Sequence, residues 1–259
     1  MSLPRDQLLN GALHRERMVQ LLDQAEETLR TWQPSWSPFL SGPELEEARR
    51  LEELSELRLM RDGGRADAER CRLQLSRSDQ ESPATPAPMA GLRLEGNFLF
   101  DRAEPEDMRQ ALIELGATAE SIGDLWLRGD RGAQAVCTPE AATLLNGRTG
   151  QVREVPLLVE AVTLDELQWP AQRSPKTFHS VEASCRLDAI ASAGFGLSRA
   201  KVTRQIREGR LRLNWQPVRH ANRDLKVGDC LQLQDRGSVE VLNLHMTKRD
   251  RWRVEMLRR

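Results

Sequence analysis

The sequence predicts an α+β protein built from three small units, and three observations carry that expectation. Residues 76–90, SRSDQESPATPAPMA, concentrate Ser, Pro and Ala, which removes backbone donors and leaves little to pack, so they read as a flexible or extended joint. Between Gly91 and Gln172 the apolar periodicity switches between strand and helix spacing in the order βαββαβ. From Ser180 onward a basic helix runs directly into short alternating segments. The units are therefore expected at 1–75, 91–172 and 180–259, and a chain of 259 residues holds about two or three domains of ~100 residues each.

In the first unit, Leu8, Leu9, Leu13, Val19, Leu21, Leu22 and Leu29 recur among charges at helical spacing over residues 3–31, and Pro34 and Pro38 end the pattern. A second helix is expected from Pro43 to Leu54, with proline suited to a first turn and a Glu-rich opening that complements the helix dipole. Residues 56–60 and 71–75 alternate like two strands around Asp62-Gly63-Gly64. The stretch GGRADAER lacks the Lys-Ser/Thr of a phosphate-binding loop, so it reads as a tight connection with a surface ion pair.

The middle unit reads as a strand over 92–100, a helix over 105–115, strands over 121–128 and 133–138, a helix over 139–145 and a strand over 152–161. That order is the split ferredoxin-like arrangement shared with RNA-recognition motifs (RRM-like). Those motifs stack bases on sheet aromatics. Here there is no Tyr anywhere and no aromatic in the third strand, Gly132 to Cys137, so the order does not carry that binding mode with it.

The last unit carries the charge. From Ser180 to Arg259 there are 17 Lys/Arg against 9 Asp/Glu, a net of +8, whereas residues 1–179 hold 21 against 30, a net of −9. Such polarity marks a segment that meets a polyanion. Arg199, Lys201, Arg204, Arg207, Arg210 and Arg212 fall within 14 residues, with Glu208 the one acid among them. Val202 and Ile206, four apart, set an apolar stripe facing Leu187 and Ile190 of a preceding helix, and the cations take the outward faces. Ser198 fits the N-cap and Gly209 the helix end. Leu211 and Leu213 then alternate as a half-buried strand, Asn214-Trp215-Gln216-Pro217 turns, and Val227-Gly228-Asp229 turns again into Cys230-Leu231-Gln232-Leu233.

These residues reach a family. Arg186-Leu187-Asp188, Leu197-Ser198-Arg199, Ile206, Gly209-Arg210-Leu211, Leu213-Asn214, Pro217-Val218 and Val227-Gly228-Asp229 resemble, in order, the S-four (alpha-L) RNA-binding domain. That family has Gly after the turn Asn, where this chain has Trp215. Phe39-Leu40-Ser41-Gly42-Pro43, Asp62-Gly63-Gly64, Ala68 to Leu73, Gly96-Asn97-Phe98-Leu99 and Ile122 to Trp126 extend the match, so that nearly the whole chain resembles the YlmH family. A cyanobacterial and plastid branch of it is labelled photosystem II S-four domain protein, although no residue here speaks to photosystem II.

The resemblance implies a non-catalytic RNA-binding protein that contacts ribosomal RNA or tRNA on the large ribosomal subunit and takes part in translation quality control. Arg199, Lys201, Arg204, Arg207 and Arg210 are expected to neutralise phosphates, and Ser198, Gln205 and Asn214 to supply directional hydrogen bonds. Arg186, Arg212, Arg219 and Arg223 complete the expected RNA-binding set.

Other classes are weighed against this. Pseudouridine synthases use a triplet similar to Arg186-Leu187-Asp188, but here it opens a helix inside the module, where Asp188 is expected to cap or pair, so no catalytic residue is assigned. A methyltransferase needs a Gly-rich loop after a first strand, which is lacking. The acidic residues 1–179 leave room for a basic protein partner. Cys71, Cys137, Cys185 and Cys230 are scattered without CxxC spacing, and His14, His179, His220 and His245 are isolated, so no metal, cofactor or disulfide is expected. No apolar run approaches the ~18 residues of a membrane span, and the start lacks a secretion signal's apolar core, so a cytoplasmic location without membrane insertion is expected.

Overall fold

The computed structural model describes residues 3–80, 85–170, 175–233 and 236–259; the parts of the expected units and joint at 1–2, 81–84, 171–172 and 234–235 lie outside the described residues. The chain divides into two compact units, residues 1–170 and 171–259. The expected first and middle units both fall within the first of these.

The opening helical stretch is broken. Helices α1 (Arg5–Leu9) and α2 (Arg15–Thr31) are separated around Gly11, whose φ of +66° an L side chain rarely adopts. The α2 stripe Met18, Leu21, Leu22, Ala25 and Leu29 is buried, as its spacing requires. Helix α3 (Gly42–Ala48) starts from a capping box in which the Ser41 N–H donates to Glu44 Oε2 at 2.7 Å, and a short 3-10 turn, Arg49–Glu53, continues it. Strands β1 (Ser35–Trp36), β2 (Leu57–Asp62) and β3 (Arg72–Arg77) form an antiparallel sheet in the order β1-β3-β2. The edge strand β1 was not legible, because Pro34 and Pro38 read as helix terminators; both positions suit an edge. At the turn after β2, the Gly64 N–H donates to Asp62 Oδ1 at 2.8 Å and Arg65 pairs with Asp67 at 2.6 Å.

The expected joint is partly structured. Ser76 and Arg77 finish β3, and Ala90 opens the next strand. Ala87 is buried, with its N–H on Asp62 Oδ2 at 2.9 Å, and the Arg72 guanidinium donates to the Pro88 carbonyl. Composition alone misses this, since the partners come from distant strands.

Strands β4 (Ala90–Glu95), β5 (Ile122–Leu127), β6 (Gly132–Cys137), β7 (Thr149–Val152) and β8 (Val155–Val162) form a second sheet in the order β5-β6-β4-β8-β7, every neighbouring pair antiparallel. Helices α4 (Pro105–Glu114) and α5 (Pro139–Leu145) cover one face, enclosing Leu92, Leu94, Met108, Leu112, Ile122, Leu145 and Val159. Two boundaries differ from the periodicity. Strand β4 stops at Glu95 because Gly96 and Phe98 turn onto the β5–β6 connection, the Phe98 N–H donating to the Asp130 carbonyl at 2.8 Å. The long last strand is a hairpin, β7–β8, turning at Arg153, whose φ is +53°.

The other face of this sheet closes onto the preceding segment. Phe39, Val136 and Leu167 are buried together, with Trp126 and Trp169 packed against them. A carboxylate and a guanidinium staple the join. Asp124 accepts the N–H groups of Glu69 and Arg70 at 3.0 and 2.9 Å, and Arg70 donates to the carbonyls of Ile122 and Ala119.

In the second unit, β9 (Lys176–Glu182) precedes α6 (Leu187–Phe195) and α7 (Arg199–Arg207). Strands β10 (Leu211–Leu213), β11 (Gln216–Pro217), β12 (Cys230–Leu233), β13 (Gly237–Met246) and β14 (Trp252–Arg258) follow. The sheet order is β11-β10-β12-β13-β14-β9, so the first strand of the unit closes on the last. Leu187, Ile190, Val202, Ile206, Leu211, Leu231, Val241 and Met256 share one core.

Candidate nucleic-acid interface

Helix α7 displays its cations because its apolar residues fix its rotation. Val202, Gln205 and Ile206 are its buried residues, and at 100° per residue they turn Arg204 and Arg207 outward, with Arg199 and Lys201 flanking them. Four cations thus span one exposed arc. The Ser198 hydroxyl caps the helix by accepting the Lys201 N–H at 3.3 Å. Arg204 pairs with Glu208 at 2.7 Å, Arg210 with Glu208 at 3.4 Å, and Arg199 with Glu182 of β9 at 3.7 Å. These pairs are solvent-accessible and worth little each. Arg207 is exposed and not ion-paired among the described residues.

Two expected hydrogen-bonding residues are used elsewhere. Gln205 is 8% exposed on the core side of α7, its amide donating to Glu208 Oε2 at 3.5 Å, so it sits among the packing residues rather than on the cationic arc. Asn214 holds a turn: its amide nitrogen donates to Asp229 Oδ1, and its oxygen accepts the Cys230 N–H, both at 2.8 Å. Both ends of the amide are committed. Spacing along α7 is enough to place residue 205 beside 202 and 206, whereas Asp229 as the partner of Asn214 required the fold.

Arg186 and Asp188 form a bidentate pair at 3.1 Å for both contacts, with Asp188 only 7% exposed. The expected pairing of Asp188 is what the structure contains. The loop carrying Arg219 and Arg223 docks on the start of α6, where Leu187 and Asp188 donate their N–H groups to the carbonyls of Arg223 and Ala221 at 2.7 and 3.0 Å. Both arginine side chains remain exposed. Arg212, on β10, is half-buried on the strand face opposite Leu211 and Leu213.

The sheet of the βαββαβ region carries packing on its second face as well. Its face away from α4 and α5 is occupied: a Cβ on Gly91 would lie 2.8 Å from the Leu167 side chain, and one on Gly123 would lie 2.7 Å from the Phe39 ring. Trp126 stacks on Trp169 at 5.2 Å and donates its indole N–H to the Gln168 carbonyl at 3.0 Å. The fully buried Gln134 accepts the Gln168 N–H at 2.9 Å. Both indoles are half-buried in this packing rather than standing on an open sheet face.

Comparison with known proteins matches residues 13–80 to the family description "YlmH, N-terminal" and residues 185–230 to "S4 domain". The "Ribosome-associated protein quality control protein P2" of Bacillus subtilis is 24% identical over 156 residues, which are 60% of this chain and 60% of that protein. The chain thus matches less than two thirds of that relative's length. Among solved structures, "Cell division protein ylmH from Streptococcus pneumoniae" shares 15% identity, covering 59% of this chain and 92% of that one with a TM-score of 0.48.

Proposed function

We propose that this YlmH-like chain with a C-terminal S4 domain is a non-catalytic, ribosome-associated RNA-binding protein that acts in translation quality control. The observation that carries it is the α7 arc, where Arg199, Lys201, Arg204 and Arg207 face outward from a helix whose opposite side is locked into the core. Such an array suits the phosphates of structured RNA, with Arg186, Arg210, Arg212, Arg219 and Arg223 adding positive potential and the Ser198 hydroxyl a donor. By analogy with the ribosome association in the relative's name, ribosomal RNA is the partner class; large-subunit RNA or tRNA, and a cytoplasmic location, are what the sequence resemblance implies. We assign Asp188 to its ion pair with Arg186 and to no chemistry.

Filter binding of ribosomal RNA across a salt series tests the assignment. Reversing Arg199, Lys201 and Arg204 to Glu is expected to weaken binding by at least tenfold and flatten the salt dependence by about 2 to 3 in log–log slope, at roughly 0.7 to 0.9 per phosphate contact. Unchanged affinity and slope sink the reading. Nucleoside analysis after incubation with transcript addresses the enzyme alternative: any isomerised or methylated base that disappears in Asp188→Asn would install a catalytic role.

A further inference from the structure

The strongest unassigned surface lies outside the segment matched to the S4 domain, at the tip of the β13–β14 hairpin. Lys248, Arg249, Arg251 and Arg253 crowd into six residues with Asp250 the one acid between them. All four cations are exposed, and none is ion-paired among the described residues. This contrasts with Arg17, Arg65, Arg77 and Arg153, each held by a carboxylate. Four cations against one acid give the tip a local net charge of +3.

The backbone beneath the array is regular. Strands β13 and β14 pair up to Met246↔Trp252, and the turn is closed by the Thr247 N–H on the Arg251 carbonyl at 2.7 Å and the Arg251 N–H on Thr247 Oγ1 at 3.2 Å. Strand β12 pairs β13 only between Gly237 and Glu240, so the hairpin runs six residues beyond Glu240, about 20 Å at ~3.3 Å per residue.

Its position joins it to α7. Trp252 pairs with Glu182 across β14 and β9, and the Glu182 carboxylate meets Arg199, the first residue of α7, at 3.7 Å. One residue therefore links the base of the tip to the start of the cationic helix. Trp252 and Leu197 both pack against the core beneath.

We propose that Lys248, Arg249, Arg251 and Arg253 form a second phosphate-binding surface that extends the α7 arc and grips the same RNA. This rests on the RNA-binding reading of α7. The hairpin supplies backbone contacts rather than sequence readout, since a cluster of flexible cations reads charge and shape.

The test uses the full chain with ribosomal RNA extracted from bacterial large subunits. Three proteins are compared across a potassium chloride series: the parent, K248E/R249E/R251E, and R204E/R207E. The hairpin variant is expected to bind at least tenfold more weakly at 100 mM salt, with the log–log slope reduced by about 2 to 3. If it matches the parent while the α7 variant weakens, the hairpin proposal is overturned and the α7 reading stands. If neither variant weakens, both fall. The Gln versions of the three hairpin substitutions, expected to lose less than the Glu versions, guard against a misfolded variant. A separate readout is acylation of Lys248, one of four lysines in the chain: the complex is expected to slow it relative to free protein, and equal rates overturn the contact.

Discussion

Trp215 sits where an L residue is least at ease. The two-residue turn joining β10 to β11 has φ of +50° at Asn214 and +68° at Trp215, a geometry that asks for Asn followed by Gly. The left-handed region costs a bulky residue about 1 kcal/mol or more. Both Trp215→Gly and Trp215→Ala lose the half-buried ring, but only Gly relieves the backbone, so Gly is expected to be the more stable variant by about 1 kcal/mol in urea unfolding. Equal stabilities would remove the strain argument. The cysteines make a second residue-scale case. Burial, aided by Asp124, lifts the Cys71 thiol to about 11, and burial, aided by Glu140, lifts Cys137 to about 12. The folded state holds these protons more tightly than the unfolded chain, where thiols ionise near the ordinary 9.0. Their stabilising effect is complete below about pH 9 and is lost as pH rises through 11 to 12. Unfolding free energy is expected to decline across that window, with a shallower decline in Cys137→Ala, and iodoacetamide at pH 8 to spare both thiols until the protein unfolds.

Helix α7 shows how an element converts pattern into a surface. Its nine residues are short for an isolated helix, so packing of Val202 and Ile206 and the Ser198 cap hold it. Ser198→Ala is expected to cost about 1 kcal/mol of stability. Binding is expected to weaken both through fraying at the start of α7 and through loss of the hydroxyl donor, and Ser198→Asp, another good cap, is expected to restore the stability but not the full affinity. Most of this element was legible in the sequence: the 202/206 stripe, the cap, the end at Gly209 and the outward cations all follow from helix geometry. Gln205, expected to supply a directional hydrogen bond, lies beside the apolar stripe and is turned inward.

Across the whole molecule, the decisive feature is the join between the β1-β3-β2 sheet and the five-stranded sheet. Asp124 receives two backbone N–H groups there, and Arg70 bridges to Ile122 and Ala119. Removing the carboxylate in Asp124→Ala strands two donors and is expected to cost about 2 to 4 kcal/mol. Limited proteolysis should then cut near residues 62–70 faster than in the parent, and an unchanged cleavage pattern would argue that the Phe39 and Trp169 packing suffices alone. The same join explains why an RRM-like strand order is not accompanied here by an open stacking face.

Local chemistry was enough to determine the α+β class, the βαββαβ order up to its last strand, the basic C-terminal helix and the family resemblance, because periodicity, caps and charge are properties of neighbours in the chain. It did not reveal that β9 closes on β14, that Phe39 and Leu167 seal a sheet face, that Asn214 is spent on Asp229, or that Glu182 links Arg199 to the base of a second cationic array. Each of those joins residues far apart in sequence, and only the packing of the finished fold brings them within reach.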